Sequence, residues 1–115
     1  MKEGNIVLTQ ITQTDGQVKN RPALVLRCLP PYNDLLVCGI STQLEHHVKN
    51  FDEIISPDDT DFSSSGLLSK SLIRLSFLAV LPSKHIAGTI GYIAPERHQR
   101  LLIALSQHLT RNIVT

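Results

Sequence analysis

The chain has 115 residues, a formal net charge of +1, 42% hydrophobic and 18% charged residues; that is one domain's length with enough apolar content for a core, which argues against disorder. Its apolar runs stop well short of the roughly 20 residues of a membrane helix, and Met1-Lys2-Glu3-Gly4-Asn5 does not open a secretory signal. Two cysteines, Cys28 and Cys38, cannot make a disulfide scaffold or a four-ligand zinc site. The expectation is a single cytoplasmic domain over residues 1–115, without metal or cofactor.

Charge is unevenly spread. Residues 1–61 carry five Lys/Arg against nine Asp/Glu, whereas residues 62–115 carry six against the single acid Glu96. Five acids, Asp52, Glu53, Asp58, Asp59 and Asp61, fall within ten residues. No ligand motif organises them, so they read as a solvated loop. The basic remainder is a candidate face for polyanions.

Elements follow in chain order. Asn5–Thr12 is rich in β-branched residues and reads as a first strand. The polar segment Gln13–Asn20 reads as a mobile loop. Pro22–Leu26 is an apolar run entered through proline, as a buried strand would be. Pro30-Pro31-Tyr32-Asn33-Asp34 turns the chain into a third strand, Leu35–Ile40, and Phe51–Ile55 suggests a fourth. Asp58–Gly66 is loop-like. Leu67–Leu75 and Phe77–Leu81 are the last strand candidates, stopped by Pro82. Residues 83–91 suggest a short helix ended by Gly88 or Gly91. Ala94-Pro95-Glu96 opens a long helix, with proline and an acid in its first turn. Leu102, Leu105 and Leu109 should face the core there, flanked by Arg97, Arg100 and Arg111. The sum is a mainly β domain, a small and partly open barrel with a C-terminal helix.

Few residues offer chemistry. Arg21 stands before Pro22, between a polar loop and a buried strand, where a guanidinium fork suits a phosphate or is simply solvated. Ser41-Thr42-Gln43 ends a strand; it either caps a helical turn ahead of Glu45 or supplies neutral donors to a phosphate or base. Adjacent His46 and His47 make a poor chelating pair, and His85, His98 and His108 fit no metal pattern. Cys28 and Cys38 read as core residues. P-loop, dinucleotide-binding and serine-hydrolase motifs are absent.

Taken in order, Gly4-Asn5-Ile6-Val7, Asn20-Arg21-Pro22-Ala23-Leu24-Val25-Leu26, Ile40-Ser41-Thr42-Gln43 and Gly66-Leu67-Leu68-Ser69-Lys70-Ser71, then the helix after Pro95, resemble the PemK/MazF family of bacterial toxins from type II toxin–antitoxin pairs. The resemblance implies a small SH3-like barrel with a C-terminal helix, assembled as a homodimer. It implies metal-independent endoribonuclease cleavage of single-stranded RNA, and a cognate antitoxin laid over the same groove. By position, Arg21 falls on the family's catalytic arginine and Ser41 on its catalytic threonine. Lys19, Asn20, Thr42 and Gln43 become substrate-binding candidates, with Gln13–Asn20 as a lid. The departures are Asn5 for the usual Asp, Ser41 for Thr, and Lys70 where an acid is common. Two other readings stay open: a gyrase-poisoning toxin of the related CcdB type, and a catalytically quiet binding module.

Overall fold

The computed structural model describes residues 1–12 and 15–112. Six strands form one antiparallel sheet: β1 (Asn5–Thr12), β2 (Val18–Leu29), β3 (Asp34–Ser41), β4 (Glu53–Ile55), β5 (Ser71–Leu81) and β6 (Ile86–Tyr92). Their spatial order is β4-β5-β3-β2-β1-β6. A one-turn helix α1 (Phe62–Ser65) precedes β5, and α2 (Pro95–Thr110) closes the chain. The fold is mainly β.

The sheet is an open barrel, since β4 and β6 are edges that do not pair with each other. What brings its two ends together is α1. The Ser64 hydroxyl donates to the Tyr92 carbonyl at 3.0 Å, joining the chain after β4 to β6. Gly66 and Gly91 permit this approach: a Cβ on Gly66 would run into the Ile90 backbone, and one on Gly91 into Ser64 and Ser65.

Period-two alternation sorts the core into two layers. Ile6, Leu24, Leu26, Cys38 and Ile40 point to one face, where Leu101 and Leu105 of α2 cover them. Burying each such leucine stabilises the fold by about 1.5–3 kcal/mol. Val7, Ala23, Val25, Leu35 and Val37 point to the other face, which no helix among the described residues covers.

Several elements differ from expectation. Residues 83–91 are not a helix: one 3-10 turn over Ser83–His85 leads into β6, which gives β1 its second partner. Glycines that look like helix stops are strand residues at an irregular, bulged edge, with register shifts at Ile6/Val7 and Leu8/Thr9. Leu67–Lys70 lies outside β5, which runs unbroken through Ser76. On α2 the buried positions are Arg97, Leu101 and Leu105, while Leu109, in the last turn, is 66% exposed. Of the expected loop Gln13–Asn20, Gln13 and Thr14 lie outside the described residues, and Val18–Asn20 belong to β2.

The acidic segment is not a solvated loop. Arg97, only 7% exposed, donates from Nε to Asp61 at 2.8 Å, from Nη1 to Glu53 at 2.9 Å and from Nη2 to Asp59 at 3.1 Å. Arg100 pairs with Glu53 at 3.0 Å, and Asp61 also accepts the Ala94 N–H at the start of α2. Two cations of the basic half, Arg97 and Arg100, therefore neutralise three acids of the other, Glu53, Asp59 and Asp61, across this junction. Burial opposes the charged form of Asp61, but the Arg97 and Ala94 hydrogen bonds and the Arg97 charge outweigh it and hold its pKa below the usual value.

Candidate active site

The face away from α2 carries the site. Ala23 of β2 stands opposite Gly39 of β3. Two residues further along each strand, the alternation puts Arg21 and Ser41 on that same uncovered face. Thr9 of β1 pairs with Arg21, and its hydroxyl donates to the Arg21 carbonyl at 3.1 Å. Arg21, Ser41 and Gln43 line one cavity of about 370 Å³. Its floor exists because the face is built from small or short residues, with Ala23, Gly39 and Ala79 among them.

Ser41 is half-buried, and its Oγ accepts the Gln43 backbone N–H at 3.0 Å. That bond folds the chain back at the end of β3 and leaves the hydroxyl hydrogen free to donate. The 3-10 turn Leu44–His46 that follows has no side-chain cap, so Ser41 shapes the approach to it without capping it. Thr42, Lys19 and Asn20 are exposed and do not line the cavity.

Three lining residues escape the sequence pattern, Thr9, Gln10 and Arg74; with them stands Phe77, one of the chain's five aromatic candidates for base stacking, beside Tyr32, Phe51, Phe62 and Tyr92. Arg74 lies in β5 opposite Gly39, with its guanidinium 5.9 Å from the Phe77 ring centroid. Its Nε is buried without a hydrogen-bond partner. Arg27 pairs with Glu3, and Arg97 and Arg100 with the acidic segment; among the described residues neither Arg21 nor Arg74 forms an ion pair. Two guanidiniums without ion partners line one apolar-floored cavity, and their forks carry the donor geometry that suits a phosphate or carboxylate.

Other candidates fall elsewhere. Among the described residues no histidine, cysteine or carboxylate lines the cavity. His98 Nε2 lies 2.8 Å from the Leu26 carbonyl and His47 Nε2 3.1 Å from that of Asp52. Burial and the nearby Asp52 charge push the Cys38 thiol up to about 12, far from a reactive thiolate. The Ser71 hydroxyl donates to the Ser69 carbonyl at 2.8 Å, away from the cavity. Among the described residues no group of three or more His, Cys, Asp or Glu is arranged to hold a metal ion.

A family model described as PemK-like, MazF-like toxin of type II toxin-antitoxin system matches residues 2–109. The chain belongs to that family. Membership implies an antitoxin partner. Among solved structures, the Mycobacterium tuberculosis toxin MazF-mt6 is similar, with a TM-score of 0.67 over 91% of this chain and 95% of that one. At 19% identity that likeness is one of fold. No curated protein matches the sequence. Among the described residues no helix is long and apolar enough to cross a membrane.

Proposed function

We propose that this toxin is a cytoplasmic endoribonuclease that cleaves single-stranded RNA without metal, through attack of a ribose 2′-hydroxyl on the adjacent phosphate. The observation that carries this reading is the convergence of Arg21 and Ser41 on one cavity beside the unpaired Arg74. Attack forms the O2′–P bond and expels the 5′-oxygen, leaving a 2′,3′-cyclic phosphate and a 5′-hydroxyl end. Negative charge gathers on the phosphoryl oxygens, where the Arg21 guanidinium stabilises it and the Ser41 hydroxyl donates to the same group. The cavity lining among the described residues offers no carboxylate or imidazole, so the 2′-hydroxyl gives its proton to solvent water and the departing 5′-oxygen takes one from water. The whole of residues 1–115 acts as one toxin domain, two copies assemble as a homodimer, and the antitoxin silences the toxin by covering the cavity.

The test is a long single-stranded RNA incubated with purified protein in EDTA, with both new ends analysed chemically. Cyclic phosphate and 5′-hydroxyl ends at recurring short sequences support the reading. Intact RNA, together with inhibition of gyrase in a plasmid-relaxation assay, would move the toxin to the gyrase-directed class.

A further inference from the structure

The irregularity in β5 is a built feature. Cys38 pairs with Leu78, yet the next residue, Gly39, pairs with Arg74, so Leu75, Ser76 and Phe77 are inserted between consecutive positions of β3. Bulges re-aim side chains and gather at functional sites. This one has dedicated supports. The Leu75 N–H, excluded from the ladder, donates to Oδ1 of the buried Asp52 at 2.9 Å. Gly39 leaves space for the displaced ring: a Cβ there would lie 2.8 Å from Cδ1 of Phe77. The ring is 56% exposed on the cavity wall, where an aliphatic residue would fill the same space with less exposed aromatic surface.

We infer that the β5 bulge is a nucleotide subsite next to the reacting phosphate, in which Phe77 stacks on a base and Arg74 holds the neighbouring backbone phosphate. The inference rests on RNA being the substrate. Phe77 is the sole aromatic residue lining the cavity among the described residues, and at 56% exposure it keeps aromatic surface on which a base can stack. Arg74 already lies along the ring, so its fork is restrained before RNA arrives, and its orphaned Nε has an acceptor to gain. Stacking accepts any base, so the subsite supplies affinity and register, leaving the choice of sequence to other contacts. Arg74 and Phe77 are positioning residues: they act on how tightly RNA is held, while Arg21 acts on the chemical step.

Binding is read separately from cleavage by fluorescence anisotropy with an uncleavable 2′-O-methyl single-stranded oligonucleotide. Phe77→Leu should weaken binding by roughly 5–150-fold. Arg74→Gln should reduce the slope of log affinity against log salt by about 0.7, and Arg74→Lys should restore it. Cleavage by Phe77→Leu and Arg74→Gln at subsaturating RNA should fall in step with their lost affinity, and Arg74→Lys should recover it, a recovery that loss of folding would not produce. Each variant's thermal midpoint is measured alongside, and Phe77→Tyr, which keeps the ring, should bind as wild type. Wild-type affinity and salt slope in Phe77→Leu and Arg74→Gln would overturn the inference while leaving the nuclease reading intact. Weakened binding in a protein that cleaves no RNA would keep the subsite and overturn the nuclease reading.

Discussion

Asp52 should be the residue on which the shape of the cavity wall depends, although it lines no part of that wall. It is 4% exposed; Oδ1 accepts the Leu75 N–H at 2.9 Å and Oδ2 accepts the Val48 N–H at 3.0 Å. Asp52→Asn keeps the volume but turns one of the two acceptors into an NH₂ group. Whichever way the amide lies, one backbone N–H then faces a donor inside the protein. Leaving a buried donor unsatisfied costs about 1–3 kcal/mol, which for a domain of this size lowers the melting temperature by roughly 4–12 °C. The amide will turn its oxygen to one donor only, so the bulge is released or the segment before β4 is. Urea unfolding gives the stability change, and anisotropy with the uncleavable oligonucleotide reports the bulge. The expected result is reduced stability, with weaker RNA binding where the bulge is the end released. A variant as stable as wild type would refute the reasoning, and a destabilised one that binds RNA unchanged would assign the lost bond to Val48 and not to the bulge.

Further consequences follow from the same contacts. Because the folded-state pKa of Asp61 lies below its ordinary 3.8, its contribution is full above that value and is lost as pH falls through the lower folded one. Acid unfolding should therefore steepen below about pH 4, and Arg97→Gln should flatten that limb in a pH-dependent urea series; an unchanged limb would contradict the pairing. Gly39→Ala places a methyl 2.8 Å from the Phe77 ring, so the ring has to leave its position. The expected loss is about 1–3 kcal/mol with weakened RNA affinity, and unfolding and binding curves that both match wild type would count against the bulge geometry. Cys38, buried and pushed up to about 12, should resist a thiol reagent at pH 8 until the protein is unfolded. Modification of Cys38 in the folded state, located by mass spectrometry, would contradict its burial.

Much of the site was legible in the alternation of the chain. Arg21 precedes Ala23 by two and Ser41 follows Gly39 by two, so a reader who pairs these strands places both on one face. The bulge was half legible. A polar break at Ser76 looks like the gap between two strands, because nothing local distinguishes a gap from three residues displaced within one strand. Arg97 was hidden for a similar reason: its helical spacing from Leu101 gives it a core direction, but only the fold brings Glu53, Asp59 and Asp61 there to receive it. Strand β6 went unread because Gly88 and Gly91 look like helix stops, while the features that make them strand residues, an edge of β1 to fill and a close α1 backbone, are tertiary. Lys19 and Asn20 illustrate the reverse case, since nearness to Arg21 in sequence does not bring them to the cavity.

The central claim is that the Arg21 guanidinium stabilises the reacting phosphate. The measurement that tests it most directly is the single-turnover cleavage rate of one mapped RNA site in EDTA, for wild type and Arg21→Ala with matched unfolding midpoints. Removing one donor of this kind should slow cleavage by roughly 100–1000-fold. Equal rates from two equally folded proteins would contradict the claim and place the chemistry elsewhere on the molecule.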